Sequence, residues 1–208
     1  MPRSLAFFGA FNPPSRAHID LADCARQQIG ARDVIFVPSK SSYITGFQGK
    51  GFAFSDEDRI AMLKQVADNR PWMRWTDIEM KQPDQPHTYD TLCMLRDQGE
   101  EPSLLIGADK LLELDYLWAK VREISDEFGI VCMDRADIDC EAVIRRNEFL
   151  SSLNLTVVHV PDDYKAFSST RIRSSLEELY ALQRTLWELL PPELADLPAD
   201  LMRKQVLN

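Results

Sequence analysis

Cysteine and histidine are scarce in this sequence of 208 residues, which contains four of the first and three of the second. Cys24, Cys93, Cys132 and Cys140 are scattered, form no C-x-x-C pair and have no histidine at metal-ligand spacing. The sequence therefore predicts no zinc site of the Cys/His type. Isolated cysteines are typical of thiols in a reducing compartment, so we expect a cytoplasmic protein.

Long apolar runs are missing as well. No stretch reaches the ~18 consecutive apolar residues of a membrane-spanning helix, and the N-terminus shows no apolar segment followed by a cleavage site. The sequence thus predicts neither a membrane partner nor a signal peptide.

Basic residues are outnumbered, since 24 Lys and Arg face 33 Asp and Glu, which gives a net charge of −9 and a pI near 4.9. Affinity for nucleic acid depends on Lys and Arg that neutralise phosphates, so no nucleic-acid partner is expected. Any anionic ligand must be held by a local cluster of donors. The remaining composition, 45% hydrophobic with 12 Pro and 8 Gly, is ordinary for a globular chain and excludes collagen-like and disordered classes.

Short apolar runs alternate with amphipathic segments along the chain. The runs are rich in β-branched and aromatic residues, which is typical of strands buried on both faces. Their alternation with helical patterns predicts an α/β, Rossmann-like fold: a doubly wound, mainly parallel sheet with helices on both faces. The predicted strands are 5–8, 34–37, 104–106, 130–133, 155–160 and a weaker 74–79; the predicted helices, some of them interrupted, are 55–67, 88–98, 110–127, 141–153 and 169–190.

Two segments depart from this alternation of strands and helices. Residues 39–51 are too long and too rich in glycine for a simple connection, and loops of this kind are often functional. The C-terminal stretch is rich in Leu and Pro and is interpreted as a helical appendage. We therefore predict a single domain over residues 1–208, with an α/β core at about 1–180 and the appendage at about 181–208.

The junctions that follow the strands are the places to look for a site, because ligands of open α/β sheets bind beyond the carboxyl ends of the strands. The first junction contains Gly9, which lets a backbone approach a ligand closely, and then Ser15 and His18, three positions apart at a helix start. A phosphate site and a capped helix with a half-buried histidine both fit this pattern.

The junction before the last helix is denser in donors. It has three hydroxyls and two guanidiniums, those of Ser168, Ser169, Thr170, Arg171 and Arg173. In an acidic chain this concentration favours phosphate binding over a capped helix with solvated arginines. At the third junction, Gly107-Ala108-Asp109, the carboxylate either accepts from a ribose hydroxyl or caps a helix. Neither a Walker A loop nor a G-x-G-x-x-G fingerprint occurs, which disfavours kinases and dehydrogenases of those types.

Together these segments resemble the nicotinate (or nicotinamide) mononucleotide adenylyltransferases of the nucleotidyltransferase α/β-phosphodiesterase superfamily. Gly9–His18 resembles the signature G-x-F-x-P-x-[HT]-x-x-H, and 167–173 is similar to I-S-S-T-x-I-R. Residues 87–92 resemble Y-T-x-D-T-L, and 105–109 followed by Trp118 resemble I-I-G-A-D…W. The matches keep the family order from residue 5 to about 175, which implies one nucleotidyltransferase domain.

The chain also departs from the family pattern. Ser15 stands where the first histidine of the signature is usual, and Ala17 replaces a glycine. Residues 43–51 do not follow the usual bacterial P-P-H-K pattern, and Tyr43 with Lys50-Gly51-Phe52 is more similar to the nicotinamide-preferring enzymes. The choice between nicotinate and nicotinamide therefore stays open.

The resemblance implies that the phosphate of a pyridine mononucleotide attacks the α-phosphorus of ATP and releases pyrophosphate. Mg²⁺ is the implied cofactor, held mainly by the substrate phosphates rather than by protein ligands. The implied catalytic residues are Ser15, His18 and Arg173; the implied ATP-binding residues are Gly9, Ala10, Phe11, Asn12, His18, Gly107, Asp109, Arg135, Ser168, Ser169, Thr170 and Arg173; the implied pyridine-nucleotide-binding residues are Phe11, Lys50, Thr88, Tyr89, Asp109 and Trp118.

Two other functions remain open, as does homo-oligomerisation. One is a sibling transferase with another acceptor, such as phosphopantetheine, glycerol phosphate or a flavin precursor. The other is a non-catalytic nucleotide-binding relative, suggested by Ser15. For the enzyme, we expect only His18 and the substrate phosphate to shape the rate near neutral pH, because serine does not titrate.

Overall fold

A computed structural model describes residues 4–134, 138–161 and 168–189. Its centre is a six-stranded sheet with the order β3-β2-β1-β4-β5-β6, in which every neighbouring pair is parallel. This confirms the predicted α/β fold and all six predicted strands. The strands are β1 Ser4–Gly9, β2 Asp33–Pro38, β3 Met73–Trp75, β4 Pro102–Gly107, β5 Ile130–Met133 and β6 Leu155–Val158.

The two edge strands are shorter than predicted. β3 ends at Trp75, and the chain then enters a turn that buries Ile78 and Glu79, so the apolar residue in that run belongs to a turn and not to the sheet. β6 ends at Val158, after which the His159 amide donates to Gln28 Oε1 at 3.2 Å. A side-chain acceptor thus replaces the backbone ladder.

Helices cover both faces of the sheet. Alternate residues of β1 face opposite ways: Ala6 packs into one apolar cluster with Leu92, whereas Leu5 packs into the other with Ile19. This explains why the strands lack polar alternation. The helices of the sheet unit are α1 Arg16–Ile29, α2 Ser41–Gly46, α3 Asp56–Ala67, α4 Thr88–Asp97, α5 Ala108–Leu111, α6 Val121–Glu127, α7 Cys140–Arg146 and α8 Glu148–Ser151.

Two predicted helices are interrupted, each for a local reason. The segment 110–127 breaks into α5 and α6 because Lys120, just before α6, has a left-handed φ of 55° that no helix can continue. The segment 141–153 breaks at Asn147, whose side chain caps α8 by accepting from the Leu150 amide at 3.1 Å. The segment 39–51 is not an irregular loop throughout, since it contains α2.

The chain divides into two compact units, Met1–Phe167 and Ser168–Asn208. The first holds the sheet with α1–α8, and the second begins with α9, Ser169–Leu189. The division therefore falls at the start of α9, earlier than the change expected near residue 180. Residues 190–208, most of the predicted appendage, lie outside the described residues, and the single domain stays a prediction.

Among the helices that the structure describes, none has the length and apolar character needed to cross a membrane.

Candidate active site

Ser15 and His18 form reciprocal hydrogen bonds at the start of α1. Ser15 is the N-cap, and its Oγ accepts from the His18 amide at 3.5 Å. In return, the Ser15 amide donates to His18 Nδ1 at 3.0 Å, and Ser15 Oγ lies 2.9 Å from the same nitrogen. This reciprocal capping box fixes the orientation of the imidazole. Ser15 is therefore a helix cap that also positions the histidine.

These bonds also fix the protonation state of His18. Because Nδ1 accepts a backbone N–H, the neutral ring carries its hydrogen on Nε2. Burial, and secondly the positive charge of Lys50, lower the pKa of His18 to about 4. At neutral pH the ring is thus an uncharged donor through Nε2. The expectation that His18 titrates near neutral pH is wrong for the free protein.

The ring of Phe11 supports the imidazole from within the core. Phe11 is 1% exposed and packs edge-on against His18, with the ring centroids 5.2 Å apart. A Cβ on Gly9 would lie 3.0 Å from this ring, so the glycine makes room for it. Phe11 was predicted to contact both nucleotides, but with its ring buried only its backbone can do so.

A second layer of polar contacts ties this junction to the chain before α3. Asn12 Nδ2 donates to the carbonyl of Phe52, and the Phe54 amide donates to Asn12 Oδ1, both at 2.8 Å. Arg59 is fully buried and donates to the carbonyl of Ala10 at 2.7 Å and to Asp56 at 2.6 Å. The amide of Asn12, predicted to bind ATP, therefore holds two backbone segments together.

Arg59 was missed as a site residue by sequence reasoning. The residues of α3 that the structure buries are Arg59 and Leu63. An arginine four positions before a core leucine, in the register that faces the sheet, was the available signal. Its charge is satisfied by acceptors from several segments, so it stabilises the shape of the junction.

Asp109 lies on the other side of the strand reversal. β1 and β4 are sequence-distant neighbours at the switch point of the sheet, where open α/β folds bind ligands. β4 ends at Gly107, and a Cβ there would lie 2.8 Å from Asp109 Oδ1. The glycine therefore lets the exposed carboxylate fold back over the strand end, a position that suits acceptance from a ribose hydroxyl.

The segment 39–51 faces the same edge of the sheet. Lys50 is close enough to lower the pKa of His18, so the structure brings these two predicted residues together. Burial raises the pKa of Tyr43 on α2, and Lys110 is among the charged groups that act on its hydroxyl. Lys50 and Tyr43 therefore lie within electrostatic range of His18 and Lys110, respectively.

Thr88 and Tyr89 begin α4 but have different surroundings. His87, at the N-cap position, makes no side-chain cap within the described residues, so the first amides of the helix present a positive end beside Thr88. Tyr89 instead donates to Glu127 at 2.8 Å, with the Lys120 ammonium 4.4 Å above its ring. Tyr89 thus bridges α4 and α6, and its predicted place in the pyridine pocket stays a prediction.

Trp118 lies in the turns between α5 and α6, partly buried against the apolar cluster that contains Leu92. Its predicted contact with the pyridine ring stays a prediction. Arg135, predicted on the adenine side, lies outside the described residues.

The hydroxyl and arginine cluster opens α9 in the second unit. Ser168 Oγ accepts from the Arg171 amide at 3.2 Å, which makes Ser168 the cap of this helix. Arg173 donates to Thr170 Oγ1 at 3.3 Å. Ser168 and Thr170 are exposed. Ser168 therefore caps the helix, and the hydroxyl and guanidinium donors lie beside it, so the two interpretations of the sequence are compatible. The role of the cluster in holding phosphates stays a prediction.

Comparison with known proteins assigns the chain to a family. The sequence model of the cytidylyltransferase-like proteins matches residues 6–175. The chain belongs to this family. The matched region of the cytidylyltransferase-like protein includes both His18 and Arg173 and ends within the first turns of α9. The family domain therefore spans the division between the two compact units.

Curated relatives and solved structures extend this result. A probable nicotinate-nucleotide adenylyltransferase of Trichlorobacter lovleyi is 29% identical over 198 residues, 89% of this chain and 91% of the relative. One of Carboxydothermus hydrogenoformans is 28% identical over 177 residues, 83% of this chain and 85% of the relative. The Plasmodium falciparum nicotinic acid mononucleotide adenylyltransferase complexed with NaAD aligns with a TM-score of 0.65 at 16% identity, covering 84% and 83% of the two chains. This last likeness confirms the fold of the cytidylyltransferase-like chain.

Proposed function

We propose that this chain is an adenylyltransferase that joins ATP and nicotinate mononucleotide into the dinucleotide of NAD biosynthesis and releases pyrophosphate. Nicotinamide mononucleotide is the alternative acceptor. The observation that carries the proposal is the fixed, uncharged Nε2 donor of His18 at the switch point of the sheet. The names of the relatives and the family match support the same activity.

The chemistry needs alignment and charge stabilisation more than a base. The phosphate monoester of a mononucleotide is largely dianionic at pH 7, so it is a competent nucleophile. His18 cannot accept a proton at Nε2, which already carries one, and therefore acts as a donor to the α-phosphate. Lys50, close to the imidazole, supplies the positive charge that the neutral ring lacks. The orientation that Ser15 imposes is in place before the substrate arrives.

We assign the β- and γ-phosphates of ATP to the start of α9. Ser168, Ser169 and Thr170 offer hydroxyls, and Arg173 offers a guanidinium that suits phosphate oxygens. Asp109, at the exposed end of β4, would accept from a ribose hydroxyl.

For the base, we propose a preference for nicotinate. The amides that begin α4, beside Thr88, form the positive end of a helix that lacks a side-chain cap in the described part of the chain. Such an end favours the carboxylate of nicotinate over the neutral carboxamide. The relatives' names support this choice. It goes against the likeness of Tyr43 and Lys50-Gly51-Phe52 to the nicotinamide-preferring enzymes.

Mg²⁺ is proposed to enter with ATP. The groups described around His18 are a ring N–H, backbone amides and the Lys50 ammonium, a set that suits phosphate oxygens better than a bare cation. Mg²⁺ bound to the phosphates would neutralise the charge of the leaving pyrophosphate. A cytoplasmic location is proposed as well, because the four cysteines, all within the described residues, are thiols rather than disulfides.

The decisive experiment is a turnover assay with ATP, Mg²⁺ and a panel of acceptors. We expect dinucleotide and pyrophosphate to form with nicotinate mononucleotide at the highest kcat/KM, and more slowly with nicotinamide mononucleotide. Turnover of phosphopantetheine, glycerol phosphate or a flavin precursor in their place would identify a sibling transferase. ATP binding by calorimetry without turnover of any acceptor would identify a non-catalytic nucleotide-binding protein.

A further inference from the structure

Glu79 is a buried carboxyl that the reaction described above does not use. It lies in the turn after β3, is 2% exposed, and has a partner for each oxygen. Thr91 Oγ1 donates to Oε1 at 2.9 Å, and Gln85 Nε2 donates to Oε2 at 2.5 Å. Burial raises the pKa of Glu79 to about 7, which reflects a site with little solvent.

The contacts of Glu79 continue to the exit of β2. The Lys40 amide donates to Gln85 Oε1 at 2.8 Å. The Lys40 ammonium donates to the carbonyl of Met80 at 3.3 Å and also to that of Gln82. The turn that carries Glu79 is thus held against the residue that precedes α2, by both the backbone and the side chain of Lys40.

The two ends of this network lie near residues that are predicted to bind the pyridine nucleotide, Thr88 and Lys50. On one side, Thr91 lies one helical turn after Thr88, at the start of α4. On the other side, Lys40 immediately precedes α2, which carries Tyr43 and leads to Lys50. The hydrogen-bond partners described for Glu79 do not include a residue of the β1–α1 junction.

We propose that Glu79 is a positioning residue that sets α2 and the start of α4 at the separation needed by the pyridine mononucleotide, and so governs the KM for that substrate rather than for ATP. The proposal rests on the proposed function. A carboxylate suits this place because it accepts from two donors at once, one on α4 and one in the loop bonded to Lys40. An apolar residue would remove the acceptor that links the Gln85 amide to the Thr91 hydroxyl.

The test is steady-state kinetics of the full chain with each substrate varied in turn. Glu79→Ala should raise the KM for nicotinate mononucleotide about tenfold or more, with the KM for ATP and the kcat at saturation changed less than about threefold. Thr91→Val, which cuts only the link to α4, should act in the same direction with a smaller effect. Glu79→Gln should rescue the KM, because its amide can accept from Gln85 and donate to the Thr91 hydroxyl.

Ser125→Ala is the matched control. Ser125 is fully buried, and its Oγ accepts from the Asn154 amide at 2.7 Å, in a part of the chain without a proposed ligand. Ser125→Ala should lower the melting temperature by an amount comparable to that of Glu79→Ala. It should leave the KM values for ATP and for the mononucleotide unchanged. Circular dichroism verifies that each variant folds; if Glu79→Ala does not, Thr91→Val and Glu79→Gln carry the test.

The outcomes separate this proposal from the proposed function. An unchanged acceptor KM in the folded variants, an equal rise in both KM values, or no rescue by Glu79→Gln would overturn the positioning role while wild-type turnover still supports the enzyme. A wild-type protein without turnover of any acceptor would overturn both.

Discussion

Two helix starts carry the polar signatures of this chain, and they use their side chains differently. At α1, Ser15 is 4% exposed and is bound to His18 through both its backbone and its hydroxyl. At α9, Ser168 caps the helix, while Thr170 and Arg173 hold each other near the surface. Similar residue types therefore give a rigid donor in one place and accessible charge in the other.

This difference indicates a division of labour. A donor that is fixed before the reaction stabilises developing charge without reorganisation, which lowers the barrier and affects kcat. Guanidinium and hydroxyl groups near the surface form their strongest hydrogen bonds only when a phosphate binds, so they contribute mainly to the free energy of binding. Four predictions test this distinction, from the largest expected effect to the smallest.

The largest effect should follow removal of the fixed donor. His18→Ala should lower kcat by roughly 10²-fold or more, by analogy with the loss of one oxyanion donor. ATP affinity, measured by calorimetry, should change little. His18→Gln is the control, since its amide keeps an N–H near the position of Nε2 and should recover part of the rate. A His18→Ala enzyme within a few-fold of wild type would remove His18 from the mechanism.

Removing the accessible charge should instead weaken binding. Arg173→Ala should raise the KM for ATP by about ten- to a hundredfold, the scale of a hydrogen bond to a charged group, and leave the KM for the pyridine mononucleotide nearly unchanged. Arg171→Ala, on the neighbouring exposed position, is the matched control and should have little effect. If calorimetry showed the loss in mononucleotide binding, the two phosphate sites would be exchanged.

A smaller effect is expected at Ser15. Ser15→Ala should cost about 1–2 kcal/mol in kcat/KM, because one hydroxyl contact to His18 is lost while the backbone donor to Nδ1 remains. The loss should appear in kcat if the hydroxyl orients His18, and in KM if it binds phosphate. Ser15→Thr should be nearly silent. A fully active Ser15→Ala enzyme would show that the residue only caps α1.

The smallest effect concerns pH. Because the pKa of His18 is lowered to about 4, its titration should leave no inflection in the kcat/KM for ATP between about pH 6 and 8. His18 is neutral when folded, so its contribution to stability is present above pH 6.5 and is lost as the pH falls towards 4. NMR titration of the imidazole should give the low value, and a midpoint near 6.5 would contradict it.

Short-range patterns in the sequence correctly predicted the elements that depend on interactions between nearby residues. The apolar runs predicted all six strands, and Ser15 marks the start of α1. Where a partner lies far away, local signals give no indication of it: Tyr89 bonds to Glu127, and the His159 amide after β6 bonds to Gln28. Neither choice can be read from periodicity, because each depends on which helix packs beside which.

The sequence by itself determined the α/β fold, the family signatures and the place of His18 at a helix start, because hydrophobic period, caps and motif spacing act over a few residues. Only the tertiary structure decided what the polar side chains do. Asn12 meets Phe52 across 40 positions of chain, and Glu79 lies between Thr91 and Gln85. A buried polar group takes whichever partners folding brings to it, since leaving it unbonded costs more than any local preference can recover.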